Sequence, residues 1–125
     1  MSPSILNLQS HRVLIVEDEI FIAAELEDIV RDAGAEVVGP AMSASEAMHL
    51  IENQEVTAAV LDVRLGSHDS LGVARRLQDA GIPFVFHTGN DDKKNLSTKW
   101  PRVPIVRKPA TPEELVAALV ALTKR

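Results

Sequence analysis

Apolar residues in this chain alternate between short unbroken runs and stretches where they return every three or four positions. Residues 11–16 end in Val13, Leu14, Ile15 and Val16, a β-branched-rich run that reads as a strand buried on both faces. Across 19–33, Ile22, Leu26, Ile29 and Val30 recur at helical spacing, and Gly34 supplies a left-handed stop. Residues 36–39 form a second short strand. Ser43 and Glu46 then have the spacing of a capping box, opening a helix through Met48, Leu50 and Ile51. The pattern repeats with a strand at 58–61, a loop of Gly66, Ser67, His68 and Asp69, and a helix over 70–80 closed by Gly81. A fourth strand is predicted at 83–87 and a fifth at 103–106. Between them, residues 90–100 have Leu96 as their only aliphatic side chain, so a helix there is expected to be short or mobile. Thr111, Pro112 and Glu114 provide an N-cap, an N1 proline and an N3 carboxylate for a last helix through Leu115, Ala118 and Leu119.

Strands joined by helices must run parallel with right-handed crossovers. The expected fold class is therefore α/β: a doubly wound, five-stranded parallel sheet between two helical layers. At 125 residues the chain suffices for one such domain over 11–125, preceded by a frayed lead-in at 1–10. There is no cysteine, which excludes disulfides and thiolate metal sites. No apolar run is long enough to span a bilayer, and the N-terminus lacks the regions of a signal peptide, so a cytoplasmic location and no membrane partner are expected. The net charge of −5 is uneven: residues 1–90 carry 5 basic and 14 acidic side chains, residues 91–125 carry 8 and 4. The weakly basic end suits a solvated or protein-docking face better than nucleic acid.

Sheets of this kind bind ligands beyond the carboxyl ends of their strands. Glu17, Asp18 and Glu19 follow the first strand, Asp62 the third, Thr88 the fourth and Lys108 the fifth. Three carboxylates gathered at one edge raise each other's pKa unless a cation neutralises them. Hard oxygen ligands with open water positions suit Mg²⁺ or Mn²⁺. Such a site fits phosphoryl transfer, with Asp62 as nucleophile, Lys108 as a mobile positive charge and Thr88 as hydroxyl donor. Each signal is weak alone: an acidic triplet commonly sits in the first turn of a helix, Asp62 is also a turn cap, and Lys108 also a surface lysine. Their joint placement at four strand ends carries the assignment. His11, His49 and His68 have no partners at metal-ligand spacing. His87 is expected to hydrogen-bond the backbone, with titration near neutral pH as the lesser reading. Trp100 is expected to pack over the sheet edge.

In order, Val13 to Glu19, Leu61-Asp62, His87-Thr88-Gly89 and Arg107-Lys108-Pro109 resemble the receiver domain of two-component response regulators, over about residues 11–123. The resemblance implies the flavodoxin-like strand order 2-1-3-4-5, Mg²⁺ on Glu17, Asp18, Asp62 and the Arg64 backbone carbonyl, and a cis Lys108-Pro109 bond. It also implies that Asp62 accepts a phosphoryl group from a sensor histidine kinase or histidine phosphotransfer protein, with Thr88 and Lys108 sensing it. A downstream protein partner is implied, and a homodimer is left open. Ile105 stands where the family commonly has Tyr or Phe, so an aromatic switch is missing. Phe86-His87-Thr88-Gly89 resembles the single-domain subgroup marked by Phe-Ala-Thr-Gly and found with alphaproteobacterial kinases, with His87 replacing Ala and Asn90 after the Gly.

The implied role is a stand-alone phosphorylation-controlled switch or phosphate sink, not an enzyme in the ordinary sense. An aspartyl-phosphate phosphatase is the first alternative, but that chemistry wants an acid two residues after the nucleophile, where Arg64 stands. A receiver-like scaffold without phosphorylation is the second, and would usually lack one of the site residues.

Overall fold

The computed structural model describes residues 8–65, 68–89 and 93–124. In order along the chain these form β1 (Arg12–Val16), α1 (Ile20–Asp32), β2 (Glu36–Ala41), α2 (Ala44–Asn53), β3 (Ala58–Asp62), β4 (Arg64–Leu65), β5 (His68–Asp69), α3 (Leu71–Asp79), β6 (Phe84–Thr88), α4 (Lys93–Lys99), β7 (Ile105–Arg107) and α5 (Pro112–Thr123). Five strands make one parallel sheet in the order β2-β1-β3-β6-β7, the arrangement that the family resemblance implied.

The two-residue alternation of a strand explains the two cores. Leu14, Val16, Ala59, Leu61, Phe84 and Phe86 face one way and meet Ala47 and Ile51 of α2, Val73, Ala74 and Leu77 of α3, and Leu96 of α4. Val13, Ile15, Val60, Val85 and Val106 face the other and meet Leu26, Ile29 and Val30 of α1 and Leu115 and Leu119 of α5. The central strands β3 and β6 are buried at every residue, which is why their sequences read as continuous runs.

Local signals mostly act as anticipated. Gly34 (φ +100°) and Gly81 (φ +73°) end α1 and α3 in the left-handed region. Thr111 and Glu114 make a complete capping box on α5. On α2 the box is half formed: Ser43 Oγ accepts from the Glu46 amide at 3.1 Å, while the Glu46 carboxylate reaches past Ser43 to the Met42 amide at 2.9 Å. The last sheet strand sits at Ile105–Arg107 rather than 103–106. Val103 is held in a turn by its amide bond to the Trp100 carbonyl, and Pro104 has no amide hydrogen to give, so only its carbonyl joins β6, at Phe86.

Three features were not anticipated. β4 and β5 form a small antiparallel pair in what the sequence presents as a loop, with residues 66 and 67 outside the described residues. β2 runs two residues beyond the predicted 36–39, through a cis Gly39-Pro40 bond, which an edge strand tolerates. The expected lead-in at 1–10 is packed at its end: Leu8 is fully buried in the α1/α5 core, and its amide donates to the Ala33 carbonyl at 2.9 Å. Residues 1–7 and 90–92 lie outside the described residues. The fourth helix is short, seven residues, and is anchored by Leu96.

Candidate functional site

Because β1, β3, β6 and β7 are parallel neighbours, their carboxyl ends meet at one rim. Glu17 and Asp18 follow β1, Asp62 ends β3, Thr88 ends β6 and Lys108 follows β7. Each of Glu17, Asp18 and Asp62 offers a carboxylate oxygen, and the three oxygens lie within 4.8 Å of one another. No other group of three potential ligands exists among the described residues. Lys108 Nζ lies 3.2 Å from Asp62 Oδ1, 3.2 Å from Glu17 Oε1 and 3.8 Å from Glu19 Oε2. The Lys108-Pro109 bond beside it is cis.

Glu17 and Asp62 are also held by backbone amides two residues further on. The Glu19 amide donates to Glu17 Oε2 at 3.1 Å, which fixes that carboxylate in the turn leading into α1. The Arg64 amide donates to Asp62 Oδ1 at 3.2 Å, and Lys108 Nζ donates to the same oxygen. Ser70, fully buried, ties the start of α3 to the Val63 carbonyl and so braces the turn after Asp62. Thr88 is buried, and its carbonyl receives the Lys108 amide at 2.8 Å.

Burial dominates the electrostatics. Glu17 is fully buried, and burial, reinforced by the Asp62 charge, pushes its carboxyl up to about 7. Burial also raises Asp62, against the opposing pull of Lys108 and the Arg64 amide. For Lys108, burial works against the charged form, but Asp62 and Glu17 outweigh it and the net shift is upward. Among the described residues, the Lys108 ammonium therefore sits against Glu17 and Asp62, with Asp18 clustered beside them and Glu19 close by.

Glu17 Oε1 is the clearest sign of what the cluster lacks. It is buried and meets no hydrogen-bond geometry, and its nearest partner is the Lys108 ammonium, an ion pair at 3.2 Å. A buried anionic oxygen left in that state is costly. Hard carboxylate oxygens at this spacing, one of them unsatisfied, fit a divalent cation such as Mg²⁺.

The structure thus brings together Glu17, Asp18, Asp62 and Lys108, and places Thr88 at the adjoining strand end and the Arg64 backbone beside Asp62. His87 enters the site in a way the sequence did not reveal. It pairs with Asp62 in the β3–β6 register, is 3% exposed, and sets Nδ1 4.0 Å from Glu17 Oε1 with no hydrogen-bond partner. A ring exposed enough to titrate near neutrality is not what forms: burial, then Lys108, lowers its pKa to about 4. The available signal was its position, one residue before Thr88 on a strand that must abut Asp62. Trp100 packs edge-to-face on Phe84 and Phe86, with ring centroids 6.0 and 6.1 Å apart, so it lies over β6, one strand in from the sheet edge where it was expected.

Known proteins are similar to this chain in sequence and in fold. The nodulation protein W of Bradyrhizobium diazoefficiens is 33% identical over 117 residues, covering 90% of this chain and 51% of that protein. The transcriptional regulatory protein PdtaR of Mycobacterium tuberculosis is 35% identical over 78 residues, covering 62% of this chain and 38% of that protein. The chain thus spans about half or less of the length of these relatives. Among solved structures, the response regulator PhyR from Brucella abortus superposes with a TM-score of 0.81 at 30% identity, over 94% of this chain and 50% of that one. A response regulator receiver protein from Sinorhizobium medicae superposes at 0.78 with 28% identity, over 93% and 96%. The family model for the response regulator receiver domain matches residues 13–120, and the chain belongs to the response regulator receiver domain family.

Proposed function

We propose that this domain receives a phosphoryl group on Asp62 and uses the resulting charge to change what it binds. The observation that carries the reading is the Asp62 carboxylate, 3.2 Å from the Lys108 ammonium and sharing a 4.8 Å cluster with Glu17 and Asp18. A carboxylate oxygen of Asp62 attacks phosphorus in line, and the bond from phosphorus to the donor's imidazole nitrogen breaks, its electron pair returning to that nitrogen. Lys108 compensates charge on the phosphoryl oxygens, and the Thr88 hydroxyl donates to one of them. Mg²⁺ or Mn²⁺, held by Glu17, Asp18, Asp62 and the Arg64 carbonyl, would neutralise the crowded carboxylates and the incoming phosphoryl charge.

The donor is a sensor histidine kinase or histidine phosphotransfer protein. Ile20 and Phe21, 68% and 87% exposed at the start of α1 and directly after the acidic residues in sequence, offer such a partner apolar surface. The adduct adds about −1.5 to −2 of charge in a single step. Half-buried Ile105 packs in the core on the α3/α4 side, so the response runs through Thr88 and the segment after β6 rather than through a rotating aromatic ring. No helix among the described residues is long and apolar enough to cross a membrane, and we place the domain in the cytoplasm.

Incubation with Mg²⁺ and acetyl phosphate, followed by mass spectrometry, tests the reading. The expected result is a single phosphoryl adduct that is absent without the metal and absent in Asp62→Asn. Multiple turnover of a generic phosphate ester would indicate a phosphatase instead, and no adduct at all would indicate a scaffold; either outcome overturns the proposal.

A further inference from the structure

We infer that His87 is a positioning residue for Glu17, supplying an Nδ1–H donor to Glu17 Oε1 once Lys108 turns to a phosphoryl group on Asp62. The inference rests on the phosphoacceptor reading above and adds to it a role for a side chain outside the acid, Asp, Thr and Lys set.

Two buried polar atoms without hydrogen bonds face each other across 4.0 Å, His87 Nδ1 and Glu17 Oε1. Both residues are almost wholly buried, at 3% and 0% exposure, so solvent does not readily satisfy either atom. Glu17 Oε2 is already fixed by the Glu19 amide. The orientation of the carboxylate therefore depends on what engages Oε1. In the present arrangement Lys108 is nearest, but its ammonium is divided between Asp62 Oδ1, Glu17 Oε1 and Glu19 Oε2.

A phosphoryl group on Asp62 carries more charge than either carboxylate and draws the ammonium toward itself. Glu17 Oε1 then loses its cation. His87 is anchored on β6 opposite Asp62, and its ring nitrogen needs to close only about 1 Å to reach hydrogen-bonding distance. With Nδ1–H on one oxygen and the Glu19 amide on the other, Glu17 keeps its orientation toward a bound cation while Lys108 is engaged elsewhere. Hydrogen bonds of this kind, one shell out from a metal, hold ligating carboxylates in place.

The test compares Mn²⁺ binding, followed by electron paramagnetic resonance, in wild type, His87→Val, His87→Asn and His87→Gln, each free and loaded with beryllofluoride as the phosphoryl mimic. Asn carries its amide nitrogen near the place of Nδ1, and Gln near that of Nε2. In the loaded protein, His87→Val is expected to bind Mn²⁺ about 10-fold more weakly. His87→Asn should recover most of that loss, and His87→Gln should not. In the free protein, where Lys108 still serves Glu17, the variants should differ much less. Equal Mn²⁺ affinity for loaded wild type and His87→Val would overturn the inference, as would a loss that Gln repairs as well as Asn, the mark of a packing role alone.

Should the Val variant fail to fold, ¹⁵N spectra of wild-type His87 decide the matter. A hydrogen-bonded Nδ1–H is expected on loading, and a bare Nδ1 in the loaded state overturns the proposal. A wild type that never loads defeats the phosphoacceptor reading itself, whereas one that loads normally with an indifferent His87 defeats only this inference.

Discussion

The two ends of the same parallel sheet are built on opposite principles. At the amino end, Arg12 donates from Nε to the Glu55 carbonyl at 2.8 Å, from Nη1 to Glu36 at 3.0 Å and from Nη2 to Gln54 at 3.0 Å. Thr57 Oγ1 accepts from the Arg12 amide at 2.9 Å and lies 2.9 Å from His11 Nδ1. These groups are partnered, and much of the network faces solvent. Five residues along β1, the carboxyl end gathers Glu17 and Asp62 under cover, leaves Glu17 Oε1 and His87 Nδ1 without hydrogen bonds, and gives the carboxylates a single ammonium to share. One end joins strands together; the other stores unfavourable electrostatics of the kind that a cation relieves.

The sharpest way to break that contrast is to remove the shared ammonium. Lys108→Ala is expected to slow adduct formation from acetyl phosphate by about 10²–10³, the usual cost of losing one preorganised charge donor. A rate within a few-fold of wild type, followed by mass spectrometry over time, would mean that Lys108 is not the charge partner of the reaction.

A smaller effect lies in the pH dependence of stability without metal. Glu17 rises from its ordinary 4.5 to about 7, so its contribution is fully present below pH 4.5 and is lost as pH climbs through 7. His87 falls from 6.5 to about 4, so its contribution is present above pH 6.5 and is lost as pH drops through 4. The two slopes oppose each other between pH 4.5 and 6.5, each by at most about 1.4 kcal/mol per pH unit. Asp62, also raised, tilts the balance in the direction of Glu17. In urea unfolding with a chelator present, Glu17→Gln should therefore show a more positive slope than wild type over pH 4.5–7. His87→Val should show a more negative one over pH 4–6.5. Shifts of the same sign in both variants would mean that the two groups do not oppose one another. Saturating Mg²⁺ should flatten the contribution of Glu17 by keeping its carboxylate ionised.

The smallest change is expected at the amino end. Arg12→Ala should cost about 1 kcal/mol in urea unfolding, since its hydrogen bonds are largely exposed. Adduct formation should stay at the wild-type rate. A strong effect on phosphorylation from this substitution would show that the two ends are coupled through β1.

Much of this was legible along the chain because it depends on neighbours close in sequence. The unbroken runs at Val13 to Val16 and Ala58 to Leu61 announced doubly buried strands. Gly34, Gly81 and the Thr111–Glu114 box marked helix ends through interactions only a few residues long. Once the strands are parallel, residues just past their ends must share a rim, which is why Glu17, Asp18, Asp62, Thr88 and Lys108 could be named together. Less readable were features that depend on packing partners far away in sequence. Leu8 is buried only because Ala33 and its neighbours leave room for it. β7 begins late because the Trp100 turn and Pro104 delay it.

The sequence by itself determined the alternation of elements and the residue types at the strand ends, since periodicity and turn chemistry are local properties, while the strand order came from the family resemblance those residues carry. Only the tertiary structure decided the meeting of His87 with Glu17 and the division of one ammonium among three carboxylates. Those depend on the register between strands dozens of residues apart and on burial, which sets the protonation of each group through the loss of water around it.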